Sequence, residues 1–408
     1  MLAARGVKAH EEITHGDGFY RDFFKGLKGT FDRIFMTGVS PVTYDDLTSG
    51  FSIADMVSLM PRFNAAVGIT EAELRAMINY YREGGHIKCD PETLIAEMKP
   101  WYDHFCFSDE SYGIEPTIYN TQSVLRYLRD YISQGKAPRT LIDRDARVDY
   151  QKLDFLVKSE DLKNRKRREE IIREICATGS TYAYIEEKFP ASEVGDEANF
   201  KSMLFYYGTL SFNGWNEDGL SRLTVTNRTM ADLYLRYLLD NIVSEDIDID
   251  QTSKEMQATA RIAAVDGNWE PLAEKIGEIV KRYSSLRNIK GGEYDVQGFL
   301  RGLLCFSPYF AIWPELELNM GYSDLLLVPK NAPTCPTLHS YLIELKYMKP
   351  QDKDVKHYVD EACDQLKRYI ADTHLEESPL LRGTPLTPLY LVFRNHELVA
   401  KGYYTRLQ

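Results

Sequence analysis

With 408 residues, 44% of them hydrophobic and 27% charged, the chain has the make-up of a folded globular protein and the length for two or three domains, which sets aside disordered and fibrous classes. Its formal net charge of −12 excludes a protein that coats nucleic acid by charge alone, although basic and acidic side chains balance from residue 276 onward. The most apolar run, 299–313, is too short to span a bilayer and carries Arg301, the first residues lack a signal-peptide core, and six dispersed cysteines without a Cys-x-x-Cys pair fit reduced thiols, so a cytoplasmic protein with no membrane partner is expected.

Residues 19–27 carry the spacing of an amphipathic helix, and 33–40 read as a buried strand that stops at Gly38. Thr70-Glu-Ala-Glu73 is a capping box that opens a helix through Tyr81, and Gly84-Gly85 ends it. His86, Cys89, His104 and Cys106 supply four donors suited to zinc, but their order and the one-residue second spacing favour buried thiols and a packed histidine. A polar, aromatic-rich stretch, 101–120, leads into several helices expected between 123 and 189.

In that helical region Lys163, Arg165, Lys166, Arg167 and Arg168 concentrate positive charge. They either track a phosphate backbone or form a solvated helix face paired with Glu169 and Glu170. Helix, hairpin and helix follow over 200–242, with hairpin strands 208–212 and 221–225 around a turn-rich 213–219. The module resembles a winged helix, or merely caps a helical bundle. The polar stretch 244–258 reads as a linker or exposed helix start, the main boundary candidate. Helices over 259–283 and 295–306, strands over 322–329 and 340–347, a helix over 354–372 and strands over 389–393 and 397–404 then compose an α/β sandwich on a mixed sheet.

Within that last region charges stand where a strand should have none. Period two puts Leu342, Glu344 and Lys346 on one face of Ser340-Tyr-Leu-Ile-Glu-Leu-Lys-Tyr347, and Tyr341, Ile343, Leu345 and Tyr347 on the other. If Asp324 lies beside them on a neighbouring strand, two carboxylates and an ammonium converge at one sheet edge. Carboxylates are hard ligands for Mg²⁺ or Mn²⁺, and such a cation lowers the pKa of a water that attacks a phosphodiester. An ammonium beside them orients that water and offsets phosphate charge. The bland alternatives are a same-face ion pair for Glu344 and Lys346 and a turn cap for Asp324.

Asp324 followed by Glu344-Leu-Lys346 resembles the PD-(D/E)xK nuclease superfamily. Residues 314–325 and 341–347 look like one branch of it, the bacterial AAA-ATPase-like proteins with a C-terminal PD-(D/E)xK domain. Phe19-Tyr-Arg-Asp-Phe-Phe-Lys25, Met36-Thr-Gly-Val-Ser-Pro41, Gly68-Ile-Thr-Glu71, Trp101-Tyr-Asp103 and Ile118-Tyr-Asn120 are similar to the later part of that family's ATPase-like domain. The resemblance implies three regions: 1–120 as the C-terminal portion of an ATPase-like domain, 121–258 as a helical region with a winged-helix-like hairpin, and 259–408 as a restriction-endonuclease-like α/β domain.

It also implies site roles. Asp324, Glu344 and Lys346 become the catalytic core, Glu293 joins Asp324 and Glu344 in holding Mg²⁺ or Mn²⁺, and Gln365, four residues before Tyr369, joins from a helix. The chain departs from its relatives at Val296-Gln297, where they carry Tyr-His, and at Tyr322, where they carry Arg. No segment has the G-x-x-x-x-G-K-[ST] spacing of a phosphate loop, and against longer relatives the chain begins after that region, so no bound nucleotide and no ATP hydrolysis are expected. The implied activity is a metal-dependent nuclease, a hydrolase acting on DNA before RNA. The alternative is a non-catalytic scaffold that keeps both folds to bind nucleic acid or protein.

Overall fold

The computed structural model describes residues 56–284 and 300–405, apart from short breaks, and scattered positions between 23 and 43. The described residues divide into two compact units, one formed by 1–171 and 180–233 and the other by 172–179 and 234–408.

The first unit opens on three helices whose ends are written in their caps. Helix α1 (Glu71–Glu83) starts at the Thr70 capping box, with Thr70 Oγ1 accepting from the Glu73 amide and the Glu73 carboxylate accepting from the Thr70 amide. Helix α2 (Pro91–Tyr102) has proline at its first position, where no amide partner is needed. Helix α3 (Thr121–Gln134) is capped by Asn120 and ended by left-handed Gly135. Leu74, Ile78, Leu94, Met98, Val124 and Leu128 bury one face of each against the others. Of the strand expected over 33–40, the described residues 33–35, 37 and 38 are not strand: Phe35 is 74% exposed, and these residues have no ladder partner to bury it. The helix expected over 19–27 lies mostly outside the described residues.

Helices α4 (Ala146–Lys158) and α5 (Leu162–Thr178) follow. A three-stranded antiparallel sheet comes next, of order β1–β3–β2, from β1 (Ser180–Ala183), β2 (Leu210–Trp215) and β3 (Ser221–Val225). The hairpin therefore has a third strand that the sequence pattern did not reveal. Helix α6 (Glu197–Tyr206), which precedes the hairpin, is buried from Asn199 to Phe205, so it has no free face to lay in a nucleic-acid groove. Helix α7 (Arg228–Tyr237) comes after the hairpin.

In the second unit the described part of 244–258, open between a linker and an exposed helix start, is the start of a helix. Helix α8 (Ile249–Arg261) turns Gln251, Lys254 and Ala258 outward and buries Thr252, Met256 and Ala260 at four-residue spacing, so its polar composition is that of an exposed face. Left-handed Gly267 divides it from helix α9 (Glu270–Ser284). A side chain on Gly267 would meet the His339 ring at 2.7 Å, so glycine serves both the turn and the close approach.

The core of this unit is a five-stranded mixed sheet. In space the order is β8 (Glu397–Tyr403), β7 (Leu386–Arg394), β6 (Ser340–Met348), β5 (Leu325–Pro329) and β4 (Phe310–Pro314). Only β6 and β7 run parallel, and helix α10 (Val355–Ile370) makes the crossover between them. Leu326, Val328 and Leu342 pack with Leu366 and Tyr369 of α10 on one face. On the other face the Tyr341 hydroxyl donates to the Ala263 carbonyl at the end of the α8 region. The sheet is thus covered on both sides, as an α/β sandwich requires.

Candidate active site

Strand register brings the charged residues together. Leu325 pairs with Ile343 in the antiparallel β5–β6 ladder, so Asp324, one residue before, comes alongside Glu344 on the face that α10 covers. Asp324 Oδ2 accepts a hydrogen bond from the Leu345 amide at 2.7 Å, which pins its carboxylate to β6. Glu344 is 3% exposed, and its Oε1 lies 3.1 Å from the Lys346 ammonium. On the same strand row, Glu344 pairs with Tyr390 of β7, a neighbour that no local pattern in the sequence could supply.

Helix α10 closes the site from above. Asp354 caps it through the His357 amide, and Ala362, Leu366 and Tyr369 anchor it by burial. Glu361, Gln365 and Tyr369, spaced four apart, share its site-facing side. Glu361 Oε1 lies 3.5 Å from the Lys346 ammonium. Gln365 Oε1 is buried with no hydrogen-bond partner among the described residues, which leaves an acceptor in reserve. Burial, then the charges of Glu344 and Asp324, push the Tyr369 hydroxyl well above the usual tyrosine range, so it stays protonated. Burial alone would lower the Lys346 ammonium, but Glu344, Glu361 and Asp324 together outweigh it and the net shift is upward.

Arg301 supports the first acid from behind. It is 1% exposed, and its guanidinium donates to the carbonyls of Cys176 (3.2 Å) and Ala177 at the end of α5 and to the Asp324 backbone carbonyl (2.8 Å). The last carbonyls of a helix have no partner within it, and a buried cation there answers both that need and the helix dipole. The available signal was a lone charge inside the apolar run 299–313.

Of the metal ligands expected from sequence, Asp324 and Glu344 meet at this edge. Glu293, like Val296 and Gln297, lies outside the described residues. Two carboxylates beside an ammonium form a hard-oxygen donor set of the kind Mg²⁺ or Mn²⁺ takes, although among the described residues no three His, Cys, Asp or Glu side chains gather into a metal-sized cluster. The zinc alternative fails on the same ground: the Cys106 thiol is buried and donates to the Ser108 carbonyl, and Cys89 accepts from the Tyr131 hydroxyl at 3.2 Å.

The basic run is mostly engaged within the protein. Arg168 is buried and bonds the Val157 and Gly195 carbonyls, and Arg165 pairs with Glu169. Arg167 grips Glu197 with two nitrogens, holding that carboxyl down at about 2. Lys166 points to solvent, and the Lys163 side chain lies outside the described residues. Of the two readings of this run, the described arginines fit the paired helix face, because each guanidinium has carboxylate or carbonyl partners of its own.

An acid at the head of one strand and acid-x-lysine on the next, under a helix with Gln-x-x-x-Tyr, share one face of the mixed sheet. Residues 291–402, which contain all of these groups, match the family model of the PD-(D/E)XK nuclease superfamily. That superfamily implies nuclease-like phosphodiesterase chemistry on nucleic acid and the general use of divalent metal ions. No curated protein matches the chain. Among the described residues no helix is long and apolar enough to cross a membrane.

Proposed function

We propose that the C-terminal unit is a Mg²⁺- or Mn²⁺-dependent nuclease that hydrolyses phosphodiester bonds, in DNA before RNA. The observation that carries this reading is the meeting of Asp324, Glu344 and Lys346 on one face of β5 and β6, with Lys346 in contact with Glu344. Asp324 and Glu344, with Glu293 as a third acid, would hold the cation. When bound, it supplies charge that polarises the scissile phosphate and acidifies water. The protein's own groups do the rest. Lys346 orients the attacking water and offsets charge that builds on the phosphate oxygens, and Gln365 Oε1 accepts a hydrogen bond from that water.

The test is twofold. Labelled single- and double-stranded DNA and RNA are offered with Mg²⁺, Mn²⁺ or chelator, and metal-dependent cutting of one class is expected. Independently, Mn²⁺ should raise the melting temperature of the wild type by mass action and leave a Glu344→Gln variant unmoved. An equal rise in both, with no cutting of any substrate, would replace this reading by the non-catalytic scaffold, which the departures at Tyr322, Val296 and Gln297 favour.

For residues 1–120 the ATPase-like reading, and for the hairpin region the winged-helix reading, rest on resemblance. With no phosphate-loop spacing in the sequence, this part acts as a scaffold without ATP turnover. Phosphate release from ATP by the purified chain, absent from a mock preparation, would overturn that.

A further inference from the structure

Among the described residues two carboxylates stand within 4 Å of the Lys346 ammonium, and only one belongs to the cation-holding pair proposed above. Glu344 stands 3.1 Å away on the same strand and is 4% exposed at its side chain. Glu361 stands 3.5 Å away on α10 and is 48% exposed. A carboxylate shared by a divalent cation and an ammonium holds each less tightly, because the two positive charges repel across a short, poorly screened gap. Once Glu344 turns to a cation, the ammonium needs another anion or it leaves the site. Glu361 is positioned for this. Its helix is fixed by the Asp354 cap and by Ala362, Leu366 and Tyr369, while its own half-exposed side chain keeps the freedom to follow the ammonium.

We propose that Glu361 is a positioning residue for Lys346: the counter-ion that keeps the ammonium over the sheet edge when Glu344 engages a divalent cation. The proposal rests on the reading of Asp324 and Glu344 as cation ligands. Glu361 acts through Lys346 and need not touch substrate or metal. In its absence the ammonium depends on Glu344 and the more distant Asp324, and competes directly with the cation.

That competition is what the experiment reads. Mn²⁺ binding to the full chain is measured by titration calorimetry for the wild type, Glu361→Gln, Lys346→Met and the double variant. Glu361→Gln is expected to weaken Mn²⁺ by about tenfold when Lys346 is present and by less than about twofold when it is methionine, the non-additivity of two groups that act as a unit. Glu361→Asp, which keeps the charge, should recover most of the affinity. Equal weakening in both backgrounds would make Glu361 a direct cation partner and overturn the proposal. No weakening in either would reduce the pair to a solvated contact and overturn it as well. A wild type that binds no Mn²⁺ fails differently: it removes the metal reading itself, and the proposal with it. Where cleavage is measurable, Glu361→Gln should lower kcat, leave KM for nucleic acid unchanged and keep the wild-type melting temperature, the last of which loss of folding would not allow.

Discussion

Lys346→Ala and Asp324→Asn are each expected to lower metal-dependent cleavage by roughly a thousandfold, the usual scale for removing a group that moves a proton or meets developing charge. The two fail for different reasons. Lys346→Ala removes the ammonium 3.1 Å from Glu344 and leaves that buried carboxylate without this counter-charge. Asp324→Asn keeps the size of the side chain and an oxygen able to accept from the Leu345 amide, so the β5–β6 join survives while a negative charge is lost. Single-turnover cleavage of a labelled duplex, with melting temperatures measured alongside, checks both. Cutting within about tenfold of wild type by either variant would remove that residue from the chemistry.

Arg301→Met should destabilise the C-terminal unit by about 3 kcal/mol. Three backbone carbonyls, of Cys176, Ala177 and Asp324, lose their shared donor, and a buried acceptor left bare costs about 1–3 kcal/mol, partly offset because a cation no longer has to be buried. Arg301→Lys should recover little, since an ammonium does not reproduce the planar fork that spans a helix end and a strand. Hydrogen exchange at the amides of β5 and β6 reads the opening of this unit separately from the other. Unchanged protection would mean that the carbonyls find other donors.

What the sequence disclosed and what it hid divide by the range of the interaction. The capping box at Thr70 and the alternation across 340–347 are local, and the structure has the helix and strand they predict. The proximity of Asp324 to Glu344 followed from the same alternation plus one guess at strand pairing. Composition left 244–258 open between a linker and an exposed helix start, and it holds most of α8, whose burial at 252, 256 and 260 shows only as spacing. The apolar run at 33–40 did mislead: its described residues form no strand and Phe35 is exposed, because hydrophobicity alone makes no sheet without a partner. Arg301, Tyr390 and Glu361 escaped because their partners lie across the fold. Two of them had a local clue: Glu361 stands one helical turn before Gln365, and Arg301 is the lone charge in the apolar run 299–313.

Glu344 and Lys346 sit on the middle strand of five, and this constrains how the gene can lengthen or shorten. Inserting one residue between Ser340 and Ile343 would shift every later side chain of β6 to the opposite face, driving both charges among Leu325, Leu327 and the α8 end and turning Leu345 toward α10. Insertions between β5 and β6, or between β6 and α10, would cost only loop entropy. Length variation among homologous chains should therefore collect at 330–339 and 349–354, while the nine residues of β6 keep an unbroken count.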